Sequence, residues 1–207
     1  MKQTILLLSL ATLLSIPALG QRDETLFSKA GRGGLFGSPI TEYFNFPEGP
    51  GTSTGGGGAL IAGDFFFGGY GLVSVDYATR LFENQFRTLD ISHAGLWVGY
   101  TPLLHKVVHP FLSVKAGWGE VRAIPTDSPP AGPAFTDRIF VVTPEAGIEL
   151  NVFRWFRIAG TLSWRQVQDL DATPLLGEDD LSGLAGTLTL RFGFFGRNKN
   201  GRSCRAD

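Results

Sequence analysis

Over much of its length the chain alternates apolar and polar residues with a period of two. In residues 109–121, Leu112, Val114, Ala116 and Trp118 share one parity, and Ser113, Lys115, Gly117 and Gly119 the other. In 138–151, Val142, Pro144, Ala146, Ile148 and Leu150 oppose Thr143, Glu145, Gly147, Glu149 and Asn151. Residues 155–167 set Phe156, Ile158, Leu162 and Trp164 against Arg157, Thr161, Ser163 and Arg165. Residues 183–195 set Leu184, Leu188, Leu190, Phe192 and Phe194 against Thr187, Thr189, Arg191 and Gly193. A period of two is that of a strand whose two faces meet different surroundings. With less regular segments at 35–46, 55–62, 65–76 and 89–100, the pattern predicts eight strands and no convincing amphipathic helix. Their lengths suit an oblique bilayer crossing, which needs about 9–11 residues.

The connections come in two styles. Gly63-Asp64, Thr101 to Val108 and Val152-Phe153-Arg154 are short. "PEGPGTSTG", "ATRLFENQFRT", "IPTDSPPAGPAFTD" and "DLDATPLLGEDDLSG" are long and polar, centred near Thr52, Asn84, Pro129 and Gly177. Short turns on one side and long loops on the other, with an even strand count, predict an all-β fold: an eight-stranded antiparallel transmembrane up-and-down β-barrel. A soluble, lipocalin-like barrel with the apolar face inward is the competing arrangement, because alternation alone does not choose the solvent.

Three features favour lipid outside. Residues 1–20 read as a secretory signal peptide: Lys2, an apolar run from Thr4 to Ile16, and small residues at Ala18-Leu19-Gly20 before Gln21. Aromatic residues gather toward both strand ends. Phe65, Phe66, Tyr100, Trp155, Phe156, Phe194 and Phe195, with Phe111, fall at the short-turn ends; Trp118 and Trp164, with Phe44, fall toward the long loops. Two aromatic girdles are what a bilayer interface selects. Glycine on the polar face fits a narrow barrel, whose interior holds small side chains beside large ones. "GGGGALIAGDFFFGGYGL", residues 55–72, then reads as a hairpin that turns at Gly63-Asp64, with flexible residues that let the strands curl. The expected organisation is a signal peptide at 1–20, an N-terminal periplasmic segment at 21–34, the barrel at 35–195 and a polar tail at 196–207.

The single cysteine, Cys204, leaves no internal disulfide to staple the fold. A formal net charge of −1 argues against broad nucleic-acid binding.

The hairpin "GGGG…FFxGGYG" at 55–71, the strand "AGLWVGY" at 94–100 and the hairpin "EAGIELNVFRWFRIAGTLSWR" at 145–165 resemble those of small outer-membrane β-barrel proteins of Gram-negative bacteria, of the OmpA-like and OmpX-like kind. The resemblance covers nearly all of the expected mature chain. It implies an outer-membrane location with periplasmic termini, contact with outer-membrane lipids and lipopolysaccharide, delivery by the barrel assembly machinery, and a monomer. It does not choose an activity, since such barrels serve as anchors, adhesins, enzymes and conduits. Phe195 matches the usual final aromatic, but "GRNKNGRSCRAD" follows it.

Candidate chemistry is sparse. His93, His105 and His109 are the only histidines and have no cysteine beside them, so a metal site is not expected, nor any cofactor. Ser92 and His93 point to opposite faces and cannot form a nucleophile–base pair. Glu178, Asp179 and Asp180 suit a solvated loop better than a cation bridge to lipopolysaccharide, and Arg197, Lys199, Arg202 and Arg205 suit a solubilising tail. Lys115, Glu145, Glu149, Arg157, Arg165 and Arg191 all fall on inward parities. They make either a salt-bridged plug or a polar path; eight strands leave room for side chains rather than for water. The expected role is therefore a non-enzymatic scaffold of the envelope or cell surface. A conduit for small or hydrophobic solutes and a lipid-modifying enzyme are the alternatives.

Overall fold

The computed structural model describes residues 33–46, 49–75, 86–125, 135–170 and 177–195. The expected signal peptide, most of the N-terminal segment and the polar tail lie outside the described residues, as do Asn84 and Pro129. Eight strands follow in order: β1 (Gly33–Phe46), β2 (Gly49–Ala62), β3 (Phe65–Ser74), β4 (Phe86–Tyr100), β5 (Val108–Pro125), β6 (Phe135–Phe153), β7 (Phe156–Gln168) and β8 (Gly183–Phe194). A single helical turn, α1 (Glu178–Leu181), precedes β8. Each strand pairs antiparallel with its sequence neighbours, and β1 pairs with β8, so the sheet closes into a barrel. Closure leaves no open sheet edge, which is what makes strands tolerable in lipid.

The alternation sorts the side chains as expected. Leu60, Leu96, Ile148 and Leu162 stand outward, each 61–68% exposed, while Lys115, Glu149, Arg165 and Arg191 are buried on the inner face. A water-soluble barrel would reverse this.

Three local features shape the ladder: two turns set its register, and prolines interrupt the pairing without shifting it. Gly63 takes φ +67°, a left-handed conformation that glycine adopts without penalty, and the chain reverses between the paired residues Ala62 and Phe65. At the β6–β7 turn the reversal falls at Arg154-Trp155, and the register shifts between Asn151 and Phe153. The third is proline. Pairing lapses between Gly37↔Phe192 and Ile40↔Thr189, around Pro39, and between Val142↔Gln166 and Glu145↔Ser163, around Pro144. A proline has no N–H to give to a ladder.

The first long loop expected from the sequence is corrected. "PEGPGTSTG" is mostly strand: Thr52 pairs with Tyr43 inside β2, and β1 and β2 approach to Phe46↔Gly49. Proline and glycine suggest a loop from composition, but the ladder with β1 continues through them. β5 and β6, at 18 and 19 residues, also run beyond a bilayer crossing on the loop side.

Candidate functional site: the barrel lumen

The lumen is filled in three tiers. At the short-turn end the inward residues of the glycine-rich strands are large aromatics. Phe36, Phe66 and Trp97 meet edge to face with centroids 5.1–5.6 Å apart, and Phe111 and Phe195 stack on Phe66 and Phe36. Glycine makes the room. A Cβ on Gly99 would lie 2.1 Å from the Phe66 ring, and one on Gly57 3.1 Å from the Trp97 ring. Phe66 and Phe195 are therefore lumen residues, at 1% and 5% exposure, and not parts of a lipid-facing girdle. Phe111 and Phe44 are corrected in the same way; both are buried inside. Height along the strand does not decide which face a side chain takes; parity does. Of the other girdle residues, Phe65, Tyr100, Trp155 and Phe194 are exposed at the short-turn end, Phe156 is half-buried beside them, and Trp118 and Trp164 are exposed toward the loops.

Against this aromatic floor sits an ionic centre on Glu149. Its Oε1 accepts from Arg157 Nη1 at 2.9 Å and from His109 Nε2 at 3.0 Å, and its Oε2 accepts from Arg191. The Arg191 guanidinium lies 3.7 Å from the Phe36 ring centroid and 4.7 Å from that of Phe66; Arg157 lies 3.9 Å from that of Phe195. One carboxylate thus serves two arginines, and the ring faces take up part of their charge. Such contacts are worth about 2 kcal/mol when desolvated.

The middle tier joins β3 to β6. Lys115 pairs with Glu145, whose Oε2 accepts from Ser113 Oγ at 2.7 Å. The Tyr70 hydroxyl and His93 Nδ1 share a 3.1 Å hydrogen bond, and Lys115 Nζ sits 5.8 Å from the Tyr70 ring centroid. Ser92, the neighbour of His93, is not on the inner face.

The top tier closes toward the loops. Arg165 Nη1 lies 3.2 Å from Glu42 Oε1, its Nε donates to the Leu181 carbonyl at 2.9 Å, and its guanidinium lies 4.1 Å from the Phe44 ring centroid. The Ser182 hydroxyl accepts from Val167 N–H at 2.9 Å. These bonds draw α1 into the mouth, where Leu181 is fully buried with Phe44, Leu89, Ile91, Val121, Ile139, Val141 and Val167.

All six expected inward charges are buried, but in three groups: Glu149 with Arg157 and Arg191, Lys115 with Glu145, and Arg165 by way of Glu42. Glu42, Tyr70, His93 and His109 join them without having been singled out as lumen residues. Parity would have found Glu42, since Phe36, Ser38, Ile40, Glu42 and Phe44 form the buried face of β1. Apolar neighbours on that face hid it. Asn151 does not join the network. Its Nδ2 donates to the Leu104 and Lys106 carbonyls at 3.1 and 2.7 Å and pins the link between β4 and β5. Among the described residues, no group of three His, Cys, Asp or Glu stands close enough to hold a metal ion.

No protein-family model matches the chain, and no curated protein matches it. Solved structures do. The N-terminal β-barrel domain of Pseudomonas aeruginosa OprF superposes with a TM-score of 0.50 at 13% identity, covering 78% of this chain and 97% of that one. Neisserial surface protein A gives 0.49 at 9% identity, covering 80% and 97%. Ail, the attachment invasion locus protein of Yersinia pestis, gives 0.46 at 14%, covering 79% and 96%. The fold is that of an eight-stranded, up-and-down outer-membrane β-barrel.

Proposed function

We propose that the chain is a non-enzymatic barrel of the bacterial outer membrane, a structural or surface-interaction scaffold whose lumen is a plug. The observation that carries this reading is the sequence of tiers: aromatic floor, ionic middle and apolar mouth, each formed by buried side chains from opposite walls. A solute crossing the barrel would have to displace all three. Buried ion pairs resist that, because separating them leaves an uncompensated charge away from water.

The exposed apolar wall supports the membrane location, with outer-membrane lipids and lipopolysaccharide as the surroundings. In this reading the termini and short turns face the periplasm, the loops face outward, the barrel assembly machinery inserts the chain, and the protein works as a monomer. Proteoliposome swelling tests the plug. Vesicles carrying the purified protein should swell in an iso-osmotic small sugar no faster than empty ones. Rapid swelling would favour the solute-conduit reading instead.

A further inference from the structure

The outer wall carries a groove of about 600 Å³ toward the loop side. Two rows of outward residues define it. In the lower row, Gly71, Ala94 and Trp118 are register partners across β3, β4 and β5; in the upper row, Ser92, Glu120 and Arg138 are partners across β4, β5 and β6. The lower row is two small residues walled by an indole that is 70% exposed. The upper row is a hydroxyl, a carboxylate and a guanidinium, the last two exposed. The groove therefore changes from apolar to charged along the direction in which an amphiphile in the membrane would lie.

We propose that this groove holds one molecule of a phosphorylated glycolipid of the outer leaflet. The inference rests on the outer-membrane reading above, with the loop side outward. An acyl chain lies over Gly71 and Ala94 against Trp118. Arg138 takes a phosphate, since a guanidinium offers donors in the geometry phosphate accepts. Glu120 and Ser92 accept from sugar hydroxyls. The mixed charge selects the class of lipid. Once Arg138 holds the phosphate, Glu120 needs O–H donors set away from that charge; a sugar ring presents several in a fixed array, whereas the short glycerol of phosphatidylglycerol keeps its hydroxyls close to the phosphate that Glu120 repels. Higher on the same face, Arg122 and Asp90 are again register partners and both exposed, so the mixed character continues above the groove.

The groove is testable because its floor can be filled. A Cβ on Gly71 would meet only the Ala94 Cβ, at 3.8 Å, so a larger side chain there occupies the groove without straining the wall. The full-length protein, purified in mild detergent, is examined by native mass spectrometry with rough-type lipopolysaccharide and phosphatidylglycerol as probes. The wild type should retain one lipopolysaccharide molecule in preference to phosphatidylglycerol. Arg138→Gln and Gly71→Leu should each weaken that retention about tenfold, the scale of one lost charge-assisted contact or one displaced chain. Glu120→Gln should remove the preference between the two lipids. Leu162→Ala, on β7 away from the groove, should change nothing. Equal retention by the wild type and all four variants would mean unspecific annular lipid and overturn the proposal. Failure of the underlying reading would look different: the protein would not fractionate with the outer membrane.

Discussion

Arg157 reaches Glu149 along a diagonal. Nη1 lies 2.9 Å from Oε1, although Glu149 stands opposite Ala159 and Arg157 opposite Asn151. A turn centred on Phe153 would place the two directly across from each other. The two-residue reversal at Arg154-Trp155 and the one-residue irregularity between Asn151 and Phe153 together displace the ladder by two residues from that arrangement, which preserves the face and lengthens the reach. A shift of two keeps every inward side chain inward; a shift of one would have turned them all to lipid.

The diagonal gives Glu149 an unequal role. It serves Arg157, Arg191 and His109, whereas Arg157 has Glu149 and the face of Phe195. Glu149→Ala should therefore cost more than Arg157→Ala, with the larger loss about 3–5 kcal/mol, the usual consequence of stranding a buried charge. The double variant should lose less than the sum. Reversible urea unfolding in lipid vesicles measures the cycle, and strict additivity would separate the two residues energetically.

The aromatic floor depends on absent side chains. Gly99→Ala would put a Cβ 2.1 Å from the Phe66 ring, whereas a Cβ on Gly160 meets nothing within 4 Å. The first change should destabilise the barrel by about 1–3 kcal/mol through overpacking. Gly160→Ala should leave the unfolding midpoint nearly unchanged. Equal midpoints for the two variants would contradict the packed floor.

The two walls should differ in their tolerance of charge. Leu162 is 65% exposed on the outer face, and Leu162→Arg should cost about 2–4 kcal/mol if the residue sits near the midplane. Glu120→Arg, on the same outward face but near the loop-side rim, should cost about 1 kcal/mol or less. Unfolding in vesicles compares them, and a reversed order would displace the membrane band.

Orientation has its own test. In a Cys204→Ser background, Asp179→Cys in α1 should react with a membrane-impermeant thiol reagent on intact cells. Asp64→Cys and Arg154→Cys, at the short turns, should react only after the envelope is opened. The reverse labelling would invert the topology.

Much of the fold was legible because alternation is a strong signal when each face meets a uniform solvent. Lys115, Glu145, Glu149, Arg157, Arg165 and Arg191 could be placed inside from parity alone. Parity was harder to use where both faces are apolar or glycine-rich. In β1 the inward set is mostly apolar, which hides Glu42, and in β3 the adjacent Phe65 and Phe66 suggest one girdle although Phe66 turns inward. Register was legible only to within the turn. The displacement at Asn151 arises from a two-residue reversal and a local bulge, and alternation does not report it. The seating of Leu181 depends on Arg165 donating to a backbone carbonyl, a contact with no pattern in the sequence.

The central claim is that the lumen is closed, and single-channel recording in a planar bilayer tests it most directly. The purified wild-type protein, inserted at a density confirmed by labelling, should add no conductance steps to the bare membrane at either polarity. Stable, ion-selective steps from the wild-type protein would contradict the plug and make the Glu149, Glu145 and Glu42 pairs the walls of a path.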